Sequence, residues 1–516
     1  MNTLRAFATL QSHNLLEAAA SDRAFSPASD LIDGILYGSS VQRRDGDLFA
    51  IIREANSKML LIISRDANPG HDFTGTTIRA TDGYTCKFVP FTDGNAAALR
   101  SAFSWTAPVS LANRPTTFGC GDRLGRATPG HLRAARNFRV APVLAQQSIR
   151  ELTLTGRTFN NVLNDVTWQV FQSGYTDGYG ADADHLKNLD HIRAALDTGM
   201  TMITLDLSEV MRPAAITWSP AEIKAQFDNL PADVRQRVEN DYANKTISLQ
   251  GRAGTTAIGF SREDARLCAV MYTPALDFAR EVYGILLAKR GADNFDLEMS
   301  IDETTTPTLP AHHLYIIREL QVRGVKVVSL APRFIGEFQK GIDYVGDMEE
   351  FTRQFQTHTI IAQSHGNYKI SVHSGSDKFS IFPVIGRITG GKFHEKTAGT
   401  SWLEAVRLVA TQAPKLYRKC HKVALERLPD ALKLYHITPQ LDHIPSLGLL
   451  RDDELTGLMD LAPARQVLHV AYGYILEDPA RKFEFFQVLD QFEEEHYKML
   501  EKHFSHHMEL LQIPRR

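Results

Sequence analysis

The chain has 516 residues, 43% hydrophobic and 23% charged, with 57 Lys+Arg against 60 Asp+Glu and a formal net charge of −3. That balance supplies a large core, excludes a disordered chain and leaves no basic excess to hold nucleic acid. No run of about 18 apolar residues offers a membrane span, and MNTLRAFATLQSHNLLEAAA lacks the apolar centre of an export signal. Cys86, Cys120, Cys268 and Cys420 form no CxxC pair, so reduced thiols in a cytoplasmic protein are expected, with no nucleic-acid or membrane partner.

Residues 1–135 read as an N-terminal α/β region with short β-like runs, Leu48–Glu54 and Lys58–Asp66, between Asn, Asp and Gly turns. It closes on Phe118–Ala135, FGCGDRLGRATPGHLRAA, where four glycines surround Asp122, Arg123 and His131. This segment is expected to be a substrate-binding loop entering a helix, against the plainer alternative of a Gly-rich turn before a capped helix. From residue 136 to 425 short apolar runs alternate with amphipathic stretches, the rhythm of a parallel β/α architecture. The runs are Arg139–Ala145, Tyr179–His185, Met200–Leu207, Phe295–Asp302, Val325–Pro332, Tyr368–Gly375 and Gly391–Gly399. A doubly wound sheet competes, but no GxGxxG follows an early strand. The expected fold is therefore α/β, a TIM-like (β/α)8 barrel with one strand still to be placed, a helical insert at about 219–289 and an α-rich C-terminal segment, 426–516.

In such barrels chemistry sits at the C-terminal ends of the strands. There the runs deliver Asp182, Asp184, His185, Asp206, Glu298, Asp302, Glu303, Arg333, His373, His394 and Lys396. His185 and His373 are the expected metal ligands, suited to a divalent Zn, Mn, Ni or Fe ion, and Glu337 or Gln339 in Arg333–Tyr344 could complete the shell. His312 and His313 read as surface or capping residues, and the histidines of the terminal Glu-rich helix, His496, His503, His506 and His507, as a solvated face.

GDRLGRATPGH, GADADHLK (Gly180–Lys187), SIDET (Ser300–Thr304), APRFIGEFQKGIDYVGD (Ala331–Asp347), HSGSDKF (His373–Phe379) and FHEKTAGTSWLEA (Phe393–Ala405) together closely resemble the tagaturonate/fructuronate epimerases, metal-dependent bacterial sugar-acid epimerases. The resemblance implies inversion at carbon 4 of a ketose uronate, with related members acting on fructose and tagatose, and a metal ligand within GEFQKG, for which Gln339 is the choice and Glu337 the more conventional alternative. Carbon 4 is β to the ketone, so enolisation cannot invert it; a retro-aldol cleavage between carbons 3 and 4 can, with a metal stabilising the enediolate. On that chemistry Asp184 is the expected base and Glu298 the proton donor, with Asp302 its rival, while Arg123, Arg333, Lys378 and Lys396 are candidates for the substrate carboxylate. A transient nicotinamide oxidation is disfavoured by the missing dinucleotide fingerprint. A metal-dependent aldolase or other sugar isomerase on the same barrel, and a non-catalytic carbohydrate-binding protein, are the other readings.

Overall fold

The computed structural model describes residues 3–16, 31–54, 57–304 and 306–516; positions 1–2 and 17–20 of the N-terminal stretch read above lie outside them. Eight strands, β1 (Thr116–Cys120), β2 (Ala141–Ser148), β3 (Gly180–Leu186), β4 (Met202–Asp206), β5 (Asp296–Ile301), β6 (Ser329–Pro332), β7 (Lys369–Val372) and β8 (Phe393–Thr397), pair in chain order and in parallel. The pairing of β8 with β1, from Phe393–Thr116 to Thr397–Cys120, closes the barrel. Seven strands coincide with the alternating runs. The eighth, TTFGC, lies inside the Gly-rich segment, so the barrel begins at Thr116 and not after residue 135. It is short and carries Thr and Gly where an apolar run would announce it. A Cβ at Gly119 would stand 1.8 Å from Gln146 Oε1, so glycine there makes room for an inward glutamine of β2.

Residues before the barrel form an antiparallel sheet around the paired strands Asp47–Glu54 and Ser57–Ser64. Alternation gives it two apolar faces: Phe49, Ile51, Leu60 and Ile62 pack with Phe103, Trp168 and Phe171, while Ala50, Ile52, Leu61 and Ile63 pack with Phe7 and Leu10 of helix Thr3–Ser12. The insert after β4 carries helices Pro220–Asp228 and Ala232–Asp241 and the long helix Arg262–Arg290, but also a hairpin, Lys245–Gly251 with Gly254–Phe260, where helix alone was expected. Its Thr- and Ile-rich strands favour the pleated conformation, and helices on both sides hide so short a run from a periodicity argument.

The C-terminal helices build a second core with helices Thr400–Gln412 and Pro414–Glu426, around Trp402, Val406, Tyr417, Tyr472 and Phe485. The last, Glu493–Leu510, buries Tyr497, Leu500, Phe504 and Met508 at helical spacing. It lies so close to helix Thr128–Arg136 that a Cβ at Gly130 would meet Leu500 Cβ at 2.6 Å. His496 and His507 are therefore buried, contrary to the solvated face expected, and only His506 stays exposed. His312 and His313 are buried too: His313 bonds His358 Nδ1 at 2.8 Å and the Tyr368 hydroxyl at 2.6 Å, and His312 faces the Tyr272 hydroxyl at 3.0 Å. Among the described residues no helix is long and apolar enough to cross a membrane.

Glu493 ties this helix to the N-terminal sheet. Its carboxylate accepts from Lys58 at 2.6 Å, Tyr497 at 2.6 Å and Tyr37 at 2.9 Å. Burial pushes its pKa up, but the Lys58 charge and these bonds prevail and bring it down to about 2. A depressed carboxylate stabilises the fold fully above its unfolded value and loses that contribution as pH falls through the folded one. Glu493→Gln is therefore expected to cost about 3 kcal/mol near neutral pH, measured by urea unfolding, with the gap to wild type closing between pH 4.5 and about 2.

Candidate active site

The barrel interior is charged where most β/α barrels are filled with branched apolar side chains. Lys396 of β8 places Nζ 2.7 Å from Asp182 Oδ2, 2.7 Å from Asp184 Oδ1 and 3.0 Å from Glu298 Oε1, and also donates to the Thr204 hydroxyl. The four charged side chains are almost wholly buried. Burial opposes every charge here, yet mutual attraction prevails: Lys396 is held well above its ordinary value, and Glu298 well below by Lys396 and His373. Asp184 is likewise held well below the carboxylate range, by His185 and Lys396. Asp182 is the exception, raised to about 6 because burial and its two acidic neighbours outweigh Lys396.

Above this layer two imidazoles meet. His185 should point away from the interior if β3 simply alternated after Asp182 and Asp184. Instead the β3–β4 register shifts between Ala183 and Leu186, and His185 adopts φ +55°, a left-handed conformation unusual for a non-glycine residue. This bulge turns Asp184 and His185 into the same cavity. His185 Nδ1 donates to Asp184 Oδ1 at 2.7 Å, and His373, just after β7, donates from Nε2 to Glu298 Oε1 at 2.6 Å. The remaining nitrogens, His185 Nε2 and His373 Nδ1, face each other at 3.2 Å, and Asp302 Oδ1 lies 3.4 Å from the first and 3.1 Å from the second.

His185, His373 and Asp302 thus bring three ligand atoms within 4.8 Å of one another. Each imidazole has its opposite nitrogen held by a carboxylate, which fixes the tautomer and directs the lone pair, the usual support of a metal-ligating histidine. Three carboxylates around a single ammonium add an excess of negative charge suited to a cation. The donor set fits a divalent ion.

The site opens into a cavity of about 390 Å³ lined by Asp184, His185, Asp302, Glu303, His373 and Lys396, by segment 332–340, and by Arg123, Arg150 and Tyr435. Glu337 and Gln339, expected in the metal shell, lie on this wall, Gln339 with both polar atoms engaged elsewhere and Glu337 exposed and bonded through one oxygen. Gln339 Oε1 accepts from Thr438 N at 2.9 Å and Gln466 Nε2 at 2.7 Å, while its Nε2 donates to Glu337. Asp302, expected as an acid, is the carboxylate that reaches the histidine pair. Glu298, expected as proton donor, is completely buried behind His373, bonded to it and to Ser329, and does not line the cavity.

The Gly-rich segment divides. Arg123 lines the cavity, yet its guanidinium is bonded to Glu151 at 2.8 Å and the His469 carbonyl at 2.9 Å and stacked on Tyr472 at 3.8 Å. Asp122 caps its own loop, accepting from the amides of Leu124, Gly125 and Ala127 at 3.1, 2.8 and 2.7 Å. His131 is buried against Ser401 and Phe504, and burial pushes its pKa down to about 4. For Asp122 and His131 the plainer alternative, a turn before a capped helix, therefore describes their contacts. Lys378 is outside the cavity wall and donates to the carbonyls of Gln339, Ile342 and Ser376; burial lowers its pKa to about 7. Arg333 lines the cavity, and its guanidinium bonds no described residue.

Arg150 and Lys340 are wall residues that strand-end reasoning missed. Arg150 had a signal: β2 runs directly into helix Ile149–Thr155 through the capping box Ser148–Glu151, so Arg150 occupies the first turn above a strand end. Lys340 sits in a loop and had none beyond its neighbours.

The sequence profile described as tagaturonate epimerase, UxaE, matches residues 37–511. A tagaturonate/fructuronate epimerase of Thermotoga maritima is 38% identical over 477 residues, covering 92% of this chain and 97% of the relative. The crystal structure of fructuronate-tagaturonate epimerase UxaE from Cohnella laeviribosi with one glycerol superposes with a TM-score of 0.88 at 38% identity, covering 99% of this chain and 100% of that one. The native crystal structure of the same protein gives 0.87 at 39% identity, covering 98% and 100%. With the family profile spanning nearly the whole chain and the barrel shared throughout, this chain belongs to the tagaturonate epimerase family.

Proposed function

We propose that this protein interconverts D-tagaturonate and D-fructuronate by inversion at carbon 4, through retro-aldol cleavage and re-addition with a divalent metal ion, and that it acts on D-fructose and D-tagatose as well. The observation that supports this most directly is the pair of inward lone-pair nitrogens, His185 Nε2 and His373 Nδ1, beside Asp302, with the Asp184–Lys396 pair on the same cavity wall. His185, His373 and Asp302 would hold the ion, which when bound supplies Lewis-acid stabilisation of developing negative charge on substrate oxygen.

The chain's own groups then have defined tasks. Asp184, kept ionised by His185 and Lys396, accepts the proton of the carbon 4 hydroxyl as the bond between carbons 3 and 4 breaks. The aldehyde fragment turns within the closed walls, the bond reforms on its other face, and the new alkoxide regains its proton from the Asp184–Lys396 pair, so no proton is gained or lost overall. Glu298 acts through His373 as a positioning residue and Asp302 as a ligand, which leaves neither as the proton donor. Segment 332–340 and Tyr435 wall the cavity and retain the aldehyde.

Metal-reconstituted protein given D-tagaturonate is expected to yield D-fructuronate, followed by carbon NMR at carbon 4, and chelator should abolish the conversion. Persistent three-carbon products would identify an aldolase instead, and no turnover with any first-row divalent ion would end the catalytic reading. His185→Ala and His373→Ala should leave the purified protein without bound metal by mass spectrometry, whereas Glu298→Gln, which removes only the support of His373, should weaken metal affinity about 10- to 100-fold. Asp184→Asn should retain the metal and lower kcat about 10²- to 10⁴-fold.

A further inference from the structure

Five cationic side chains besides His185 and His373 reach the cavity wall: Arg123, Arg150, Arg333, Lys340 and Lys396. A uronate differs from a neutral ketose by one carboxylate, so the residue that recognises it needs donors left over after its bonds to the protein. Lys396 is enclosed by three carboxylates, and Arg123 is paired with Glu151, bonded to a carbonyl and stacked on Tyr472. Lys396 has no donor to spare, and Arg123 has its charge balanced by Glu151 and its face covered by Tyr472.

Lys340 is different. Its half-buried ammonium donates to Ser374 Oγ at 2.7 Å and has no carboxylate within ion-pair distance among the described residues, which leaves two of its three donors uncommitted. Ser374 follows His373 and has φ +53°, so this one bond fixes Lys340 beside the histidine pair. Arg150 faces the same space. It stacks on Tyr435 at 4.6 Å, donates to the Leu434 carbonyl at 3.1 Å, and holds Glu303 only at 3.4 Å. Its Nε is buried with no hydrogen-bond partner. Burial first, and then the like charge of Arg150, lower the pKa of Lys340, a repulsion between two cations that line the same cavity. An anion between them would relieve that repulsion and fill the spare donors. Arg333 also has spare donors, but its guanidinium is anchored to no described residue and would have to be ordered on binding.

Building on the epimerase reading, we propose that Lys340, assisted by Arg150, is the carboxylate-recognising element of this cavity and sets its preference for sugar acids over neutral ketoses. Lys378, Lys396 and Arg123 are thereby relieved of that role.

The test has two readouts. In the metal-loaded enzyme, Lys340→Met should raise KM for D-tagaturonate about 10- to 100-fold with a much smaller change in kcat, and lower the kcat/KM ratio of D-tagaturonate to D-tagatose by a similar factor. Lys340→Arg should restore most of that ratio, and Arg333→Met should disturb it less than Lys340→Met. Calorimetric titration with D-gluconate, a six-carbon carboxylate with no ketone to cleave, reads the same contact without turnover. Its Kd should weaken at least about tenfold in Lys340→Met with bound metal unchanged. Equal gluconate affinity in wild type and Lys340→Met, or a larger loss in Arg333→Met, would overturn the inference and leave the epimerase reading standing. A wild type that binds gluconate through Lys340 but inverts no ketose would do the reverse.

Discussion

The contact on which the rest of this structure depends is the Lys396 ammonium held by Asp182, Asp184 and Glu298 inside the barrel. Removing such charges from water is costly, and a packed apolar layer would serve stability at least as well. What the cluster provides is orientation. Asp184 and Glu298 each use one oxygen to bond both Lys396 and a histidine, so the position of the lysine determines where both imidazoles point. The acidic excess of the layer gives that pair surroundings suited to a cation. A single long side chain from β8 thereby aligns residues from β3, β5 and the end of β7.

A second tier of contacts holds the cavity wall in place. Segment 333–344 has little secondary structure of its own and is fastened by neighbours: Lys378 donates to two of its carbonyls, Arg465 to a third, and Thr438 and Gln466 hold Gln339. Asp377, beside Lys378, is bound by Arg465 and lies 2.6 Å from His503 Nε2, while its own amide donates to His507 Nε2. These three residues also have metal-like spacing, but Arg465 occupies the carboxylate and the backbone occupies His507, so the cluster works as a latch between the β7 loop and the last helix. The wall is supported from outside, much as the histidine pair is supported from within.

The sequence made the strand ends legible because short runs alternating with amphipathic helical stretches mark the strands, and barrel chemistry gathers toward their C-terminal ends. That is why Asp184, His185, His373 and Lys396 could be placed together from pattern alone. Three things escaped it. β1 is Thr- and Gly-rich, since its neighbours need space and not bulk, and it carries no apolar signature. The inward turn of His185 comes from a bulge that alternation does not forecast. The fates of His131 and Gln339 depend on Ser401 and Gln466, and that of Lys378 on the carbonyls of Gln339 and Ile342, partners distant in the chain that no local spacing reveals. Asp302 lies within reach of His185 across the barrel, whereas Gln339 of GEFQKG is bonded to Thr438 and Gln466 of the C-terminal segment.

The last helix touches the molecule at two places far apart in the chain, Glu493 reaching Tyr37 and Lys58 of the first sheet and His503 and His507 reaching the loop behind His373. A ribosome therefore completes every barrel strand before the piece that steadies the site has been made. The chain made by then holds the site's acidic and imidazole groups with Lys396 among them, yet lacks the helix that braces the loop behind His373. Synthesis therefore makes the parts of the site in one stretch and their outer brace in a later one.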